Sequence, residues 1–228
     1  AESSKSELGL TAFKKDLSYI ERLSTFPINT EIVTIKTYGS KASTRIPAGK
    51  ITGNITLKVN TSFVLLPKEP MACRSYDPRV GYFTEEFTDF GDDQQQVKRR
   101  QVISRWRLEP KDIEAYRRGE LVEPVKQIVY YIDPATPKKW VPYLIAGVND
   151  WNAAFEKAGF KNAICAKEWP NDSTMSLEDA RYSVIRYLAS DISNAYGPHV
   201  SDPRSGEIIE SHVGWYHNVM QLLHAWYQ

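Results

Sequence analysis

The stretch Ser201-Asp-Pro-Arg-Ser-Gly-Glu-Ile-Ile-Glu-Ser-His-Val-Gly-Trp-Tyr-His-Asn218 carries the clearest structural pattern in this chain. Its first residues favour a turn that ends at Gly206, and the β-prone run 207–213 predicts one short strand after that turn. Farther on, apolar residues recur at the spacing of an amphipathic helix, which reaches the last residue without a stop signal. We therefore expect the fold to continue beyond residue 228.

The sequence upstream of this stretch predicts an α/β unit. The continuous apolar run 127–132 is typical of a buried strand. An apolar stripe from Trp140 to Ala158 predicts one long helix, and Gly159 is placed to end it. Shorter strands are predicted at 163–166 and 182–188. Together with the strand at 207–213 they predict a mixed sheet.

The N-terminal part is predicted to be rich in strands. It begins with apolar residues at steps of three and four, which predict an amphipathic helix: Leu10, Phe13, Leu17, Ile20 and Leu23. Strands are predicted at 31–38, 51–66 and 95–106, and a compact helix at 109–119. A boundary near Pro124 divides the chain into 1–126, a β-rich accessory domain, and 127–228. The predicted fold class is α+β.

Composition excludes several classes of function. The 228 residues include 29 basic and 28 acidic side chains, a net charge of +1, so no overall field favours nucleic acid. The basic residues at 98–100, 105 and 107 alternate with apolar ones, which favours a solvated strand face. No apolar run reaches about 18 residues, so we expect no membrane span. Cys73 and Cys165 are too few for a disulfide framework.

The chain lacks the short motifs that mark catalytic machinery, including His-Glu-x-x-His and Cys-x-x-Cys. The spacing of His212 and His217 with Glu207 or Glu210 permits a metal site. Surface or packed histidines are the simpler interpretation. Two Asp-Pro-Arg tripeptides, at 77–79 and 202–204, favour turns in which the aspartate caps and the arginine pairs nearby.

Longer blocks resemble a known family. They are Ile128-Val-Tyr-Tyr-Ile-Asp-Pro-Ala-Thr-Pro137, Gly147-Val-x-Asp-Trp-x-x-Ala-Phe-x-x-Ala-Gly-Phe160, Asp179-Ala-Arg-Tyr-Ser-Val-Ile-Arg-Tyr187, Asn194-Ala-Tyr-Gly-Pro-His199, Gly206-Glu-Ile-Ile-Glu-Ser211 and Trp215-Tyr-His-Asn218. Together they resemble bacterial zinc-dependent metalloproteases of the metzincin type. Residues 1–126, with blocks such as Asp77-Pro-Arg-Val-Gly-Tyr-Phe83, resemble the uncharacterised domain that precedes the peptidase domain in that family.

The resemblance implies that the chain stops before the family's zinc motif, His-Glu-x-x-His-x-x-Gly-x-x-His, which lies downstream of the Trp-Tyr-His-Asn block. Residues 127–228 would then be the upper half of a metzincin-like catalytic domain. Zinc is expected in the longer protein, and this chain is expected to contain no catalytic residue and no metal ligand. Its implied partners are a peptide or protein substrate and the missing C-terminal part of the catalytic domain, in a secreted or periplasmic protein.

The resemblance also implies where substrate binds. The edge strand nearest the cleft is expected at Gly206 to His212, where an extended peptide would add a strand. The residues concerned are Gly206, Glu207, Ile208, Ile209, Glu210, Ser211 and His212.

Two other functions remain open at this point. Residues 1–126 could be a protein- or glycan-binding module, because the sequence places Tyr76, Tyr82, Phe83, Phe87 and Phe90 close together. They could also cover the cleft as an inhibitory propeptide does. A truncated catalytic half is further expected to dimerise or aggregate through the surface that its missing part would cover.

Overall fold

The computed structural model describes residues 6–91 and 95–228, and the chain forms two compact units that divide after Leu65. The protein is α+β, as predicted. Residues 66–126 are grouped with 127–228, so the boundary predicted between 126 and 127 stays a prediction. No helix in the described part of the chain is long and apolar enough to cross a membrane.

The first unit is a three-stranded antiparallel sheet in the order β1-β2-β3. Its elements are β1 (Leu10–Thr25), β2 (Asn29–Ser40), the short helix α1 (Pro47–Thr52) and β3 (Asn54–Val64). Strands β2 and β3 pair without a break in register from Asn29↔Val64 to Gly39↔Asn54. The predicted strands at 31–38 and 51–66 are therefore confirmed in type, with shifted ends.

The helix predicted over residues 10–23 is wrong, because this segment is the long strand β1. Register shifts interrupt its pairing with β2: from Lys14 to Tyr19 the strand advances five residues while β2 advances two, from Thr37 to Ile35. Such bulges break the two-residue alternation of a strand and leave apolar residues three and four apart. Ser18 stabilises the widest bulge, since its Oγ donates to Lys14 O (2.6 Å) and accepts from Thr37 N (3.0 Å).

A buried carboxylate joins β2 to β3. Glu31 is only 4% exposed, and its two oxygens accept hydrogen bonds from Asn29 Nδ2 (2.6 Å), Asn60 Nδ2 (2.6 Å) and Ser62 Oγ (2.5 Å). All three donors are neutral, so hydrogen bonds rather than an opposite charge compensate the loss of water around the carboxylate.

The second unit contains a two-stranded sheet and a larger mixed sheet. The small sheet pairs β4 (Thr84–Asp89) with β5 (Lys98–Ile103). The larger one has the order β10-β11-β8-β6-β7, with β9 also paired to β11. Its strands are β6 (Ile128–Ile132), β7 (Ile164–Glu168), β8 (Ser183–Leu188), β9 (Ala195–Tyr196), β10 (His199–Asp202) and β11 (Glu207–Tyr216). The helices of this unit are α2 (Ile113–Arg117), α3 (Val141–Asn149), α4 (Asn152–Lys157) and α5 (Val219–Tyr227).

The apolar run predicted to be a buried strand is β6, which lies between β8 and β7 and is parallel to both. The core beside it contains the buried side chains Ile132, Ile185 and Trp215, against which residues of α3 and α5 pack. The sequence prediction of a mixed sheet is confirmed here, since β11 is parallel to β8 but antiparallel to β10.

The long helix predicted from Trp140 to Ala158 is two helices, α3 and α4, that meet at Asp150 and Trp151. Asparagine side chains at this junction form hydrogen bonds with the backbone of β7. Asn152 accepts from Ile164 N (3.3 Å) and donates to Ile164 O (2.8 Å), while Asn149 Oδ1 accepts from Ala166 N (3.2 Å).

We predict that Glu31→Ala lowers the free energy of unfolding of the first unit by about 2–4 kcal/mol, because three donors lose their acceptor. The matched control is Glu21→Ala, which removes only an exposed ion pair with Lys58 and should change stability by less than about 1 kcal/mol. Urea titration, together with hydrogen exchange of the β2 amides, measures the change in unfolding free energy in both variants. Equal losses in the two variants would contradict the role given to Glu31.

Candidate functional site

The candidate site is the hairpin formed by β10 and β11 together with the segments that support it. Its turn is built on Asp202, which is fully buried. The Asp202 carboxylate accepts from the backbone N of Arg204 (2.9 Å) and from the guanidinium of the same residue (Nε 3.0 Å, Nη2 2.7 Å). Arg204 Nη2 also donates to Pro67 O (2.6 Å), which ties the turn to a segment far away in sequence.

The electrostatics of the turn follow from this pairing. The Arg204 guanidinium beside Asp202 lowers the pKa of that carboxyl below its usual value, and the positive charge of Arg107 contributes in the same direction. Asp77 and Arg79 make the same contacts in the first Asp-Pro-Arg tripeptide, at an exposed position. Both tripeptides are therefore capped turns, as predicted.

The hairpin is supported by a close backbone contact with the segment 103–107. Arg105 N donates to Gly206 O (2.9 Å), and Ile208 N donates to Arg105 O (2.9 Å). Gly206 has φ +73°, and a Cβ placed there would lie 2.2 Å from Ile103 O. Only glycine permits this approach, because any side chain would collide with a backbone carbonyl.

An ion pair reinforces the same contact. Arg107 donates to Glu207 through two nitrogens, Nε to Oε1 (3.0 Å) and Nη2 to Oε2 (2.6 Å), and Nη2 also donates to Glu69 O (2.8 Å). The bond with Glu207 raises the pKa of Arg107. Two parallel bonds fix the orientation as well as the distance of the two segments.

The structure corrects the predicted position of the sheet edge. Residues 206–212 were expected to form it, but β10 lies outside β11, with His199 paired to Ser211 and Asp202 to Glu207. On its other side β11 pairs with Arg105 at Glu207 and with β8 from His212 onward. β10 thus covers the outer side of the strand at Glu207, Ile208, Glu210 and Ser211. A role of Gly206, Glu207, Ile208, Ile209, Glu210, Ser211 and His212 in substrate binding stays a prediction.

The two real edges of the larger sheet differ. At β7 the side chains of Asn149 and Asn152 form hydrogen bonds with backbone groups of Ile164 and Ala166. At β10 no other strand and no side-chain hydrogen bond reaches the backbone of residues 199–201 in the part of the chain that the structure describes, apart from the pairing with β11. The open edge is therefore β10, where unpaired peptide groups can accept another strand.

The edge continues at β9, which pairs with Gly214 and Trp215. A Cβ at Gly214 would lie 2.4 Å from the Tyr196 ring, so the glycine lets that ring lie against β11. Between β9 and β10, Ser211 Oγ donates to Pro198 O (2.9 Å), and Ser211 N donates to Ser183 Oγ (3.0 Å). Ser211 thus links the outer segment to the parallel part of the sheet.

The residues considered for a metal site are not brought together. Glu207 forms an ion pair with Arg107, and His217 Nδ1 forms a hydrogen bond with Tyr187 OH (2.9 Å). His212 Nε2 lies 3.6 Å from Glu210 Oε2. Within residues 6–91 and 95–228 there is no group of three or more His, Cys, Asp or Glu side chains that could hold a metal ion. Glu207, Glu210, His212 and His217 are therefore not grouped as the ligands of one metal ion.

Sequence reasoning missed the roles of Arg105 and Arg107. The interpretation as a solvated face is right for β5, where residues 98–101 are exposed. Arg105 and Arg107 lie beyond β5 and contact β11 instead. The partner of Arg107 lies a hundred residues away, and no local pattern in the sequence identifies it.

The aromatic residues proposed for a binding module are partly exposed. Phe83 and Phe90 are 82% and 80% exposed and Tyr82 is 58% exposed, whereas Tyr76 and Phe87 are half-buried. The prediction of a protein- or glycan-binding surface is compatible with this exposure and stays a prediction.

We predict that Asp202→Asn lowers the unfolding free energy at pH 7 by about 2 kcal/mol, because a buried, charge-assisted contact is lost. The folded-state pKa of Asp202 is lowered, so its contribution to stability is complete above the usual aspartate pKa of 3.8 and is lost as the pH falls through the folded-state pKa. The variant should therefore lose less stability on acidification than the parent chain, as measured by urea titration between pH 7 and 2.

The matched control for this prediction is Asp77→Asn, which removes the same contacts at an exposed turn. It should have a clearly smaller effect at pH 7. An effect as large as that of Asp202→Asn would mean that burial of the second turn contributes nothing.

Comparison with known proteins gives one family match. Residues 1–111 match the model of a family described as Domain of unknown function (DUF5117). The match covers the first unit and continues into the second as far as the residue before Asp112, the N-cap of α2. No curated protein and no solved structure matches the chain. The N-terminal part of this protein is thus similar to a domain to which no activity is assigned.

Proposed function

We propose that this chain is the accessory domain and the N-terminal part of the peptidase domain of a zinc-dependent metalloendopeptidase. The observation that carries the proposal is the open antiparallel edge at β10, at the side of a mixed sheet whose opposite edge is occupied by asparagine side chains. An enzyme that cleaves unstructured peptides needs a surface that holds an extended backbone, and an unpaired strand edge is such a surface.

In this proposal a substrate segment pairs with β10 rather than with residues 206–212. Binding through peptide groups depends little on substrate side chains, so it suits a protease of broad specificity. The exposed side chain of Val200 and the half-buried His199 alternate on β10 and would contact neighbouring substrate residues. The turn at Asp202 limits the edge at one end, because Asp202 O already accepts from Ser205 N and Gly206 N.

The buried supports give the edge its rigidity. Asp202, Arg204 and Gly206 fix the turn, and the Arg107–Glu207 pair fixes the first residue of β11. A fixed edge loses less conformational entropy on binding than a mobile loop would. The role proposed for this chain is therefore to position substrate, and we derive no zinc-dependent step from its residues.

The test compares this chain with a longer one that continues through the expected metal motif. We predict that the longer chain holds about one zinc ion and hydrolyses an unstructured protein such as casein, while residues 1–228 alone do neither. Elemental analysis after dialysis measures zinc, and release of labelled peptides measures hydrolysis. A control chain with glutamine in place of the glutamate of that motif should keep the metal and lose hydrolysis.

Two results would contradict the proposal. Stoichiometric zinc in residues 1–228 alone would mean that His212, His217 and their acidic neighbours assemble a site of their own. If a longer chain binds zinc but cleaves no peptide, the metal serves a reaction other than peptide hydrolysis.

A further inference from the structure

The second unit contains a cavity of about 530 Å³ next to the support of the hairpin. Large apolar side chains form much of its wall, including Trp106, Leu108, Tyr116, Phe155 and Phe160. This volume lies within the range of roughly 300–1,000 Å³ that is usual for small-molecule sites. None of residues 199–202 lines the cavity, and it has no role in the function proposed above.

Two guanidinium groups without a carboxylate partner line this cavity. Arg105 Nη2 donates to Ala72 O (2.5 Å), and Arg105 Nε is buried without a hydrogen-bond partner. Arg74 also lines the cavity, and within the described residues neither arginine forms an ion pair with an acidic side chain. The neighbouring Arg107 is different, since it is paired with Glu207 and Glu109.

The environment of Arg105 is unfavourable for its charge. Burial lowers the pKa of Arg105, and the positive charge of Arg74 lowers it further. Arg105 is half-buried, and the negative charge of Glu207 raises its pKa by less than burial and Arg74 lower it, so an anion bound beside the two guanidinium groups would relieve both effects. Ser104 Oγ, which is buried without a partner on the same wall, is a further polar group without a hydrogen bond.

A second cavity of about 390 Å³ shares two of these walls, Trp106 and Phe155. Its lining consists of aromatic and aliphatic side chains, among them Val148, Ile185 and Val213. The cavity lined by the two arginines therefore adjoins a second cavity whose lining is apolar and aromatic. An amphipathic molecule matches this distribution better than an inorganic ion or a neutral hydrocarbon does.

We propose that this cavity binds an organic monoanion, a carboxylate or sulfonate attached to an aromatic or aliphatic body. The anionic group lies at Arg74 and Arg105, and the apolar body lies against Trp106 and Phe155. The chain has no glycine-rich loop to surround a phosphate, which favours a singly charged head group over a nucleotide.

The test uses two fluorescent probes with the same ring system, 1-anilinonaphthalene-8-sulfonate, which is anionic, and N-phenyl-1-naphthylamine, which is neutral. Titrated into the full chain, the anionic probe should saturate at one molecule per chain and bind at least about tenfold more tightly than the neutral one, since a charge-assisted contact is worth that much. Comparable affinity for both probes, or binding of many molecules per chain, would overturn the proposal and indicate exposed apolar surface only.

Variants locate the site. Arg74→Met and Arg105→Met should each weaken the anionic probe about tenfold and leave the neutral probe unchanged. The control is Arg99→Met, an exposed position on β5 outside the cavity, which should change neither. If Arg105→Met unfolds the chain, Arg74→Met decides alone, because Arg74 is exposed and its backbone O, not its side chain, accepts the hydrogen bond from Ile103 N. Wild-type affinity in Arg74→Met would overturn the proposal.

Discussion

The close approach of two backbone segments, 103–107 and 206–208, is the contact on which the second unit depends. Gly206 carries no side chain, so its backbone O can accept from Arg105 N while Ile103 O lies close to where a Cβ would be. Arg107 and Glu207, which belong to these two segments, form a bidentate ion pair that stabilises the same contact. Because these groups lie about a hundred residues apart, the contact joins the segment after β5 to the first residues of β11.

The properties of the sheet edges follow from local polar groups. Side-chain amides at the α3–α4 junction occupy the backbone of β7, which protects that edge from further pairing. The β10 edge has no such cover among the described residues, and the buried Asp202 holds its turn in one conformation. One sheet therefore combines a closed edge with an open and rigid one, as a protein that binds extended chains requires.

Sequence reasoning succeeded where the signal was local. The apolar run of β6, the αL glycine at 159 and the Asp-Pro-Arg turns were all predicted correctly, because each depends on a few adjacent residues. It failed for β1, where bulges imitate the spacing of a helix, and for the sheet edge. The outer strand β10 is four residues long with no alternating pattern, so only its pairing with β11 reveals it. The cavity beside Arg105 arises from distant segments and was likewise not visible in the sequence.

Hydrogen exchange in the presence of substrate tests most directly whether β10 is the substrate-binding edge. The suitable protein is a longer chain made inactive in its metal motif and saturated with an unstructured protein substrate. The account predicts slower amide exchange at residues 195–202 and no change at β7, residues 164–168, where asparagine side chains already occupy the edge. Protection confined to 164–168, or unchanged exchange at 195–202 under saturation, would contradict it.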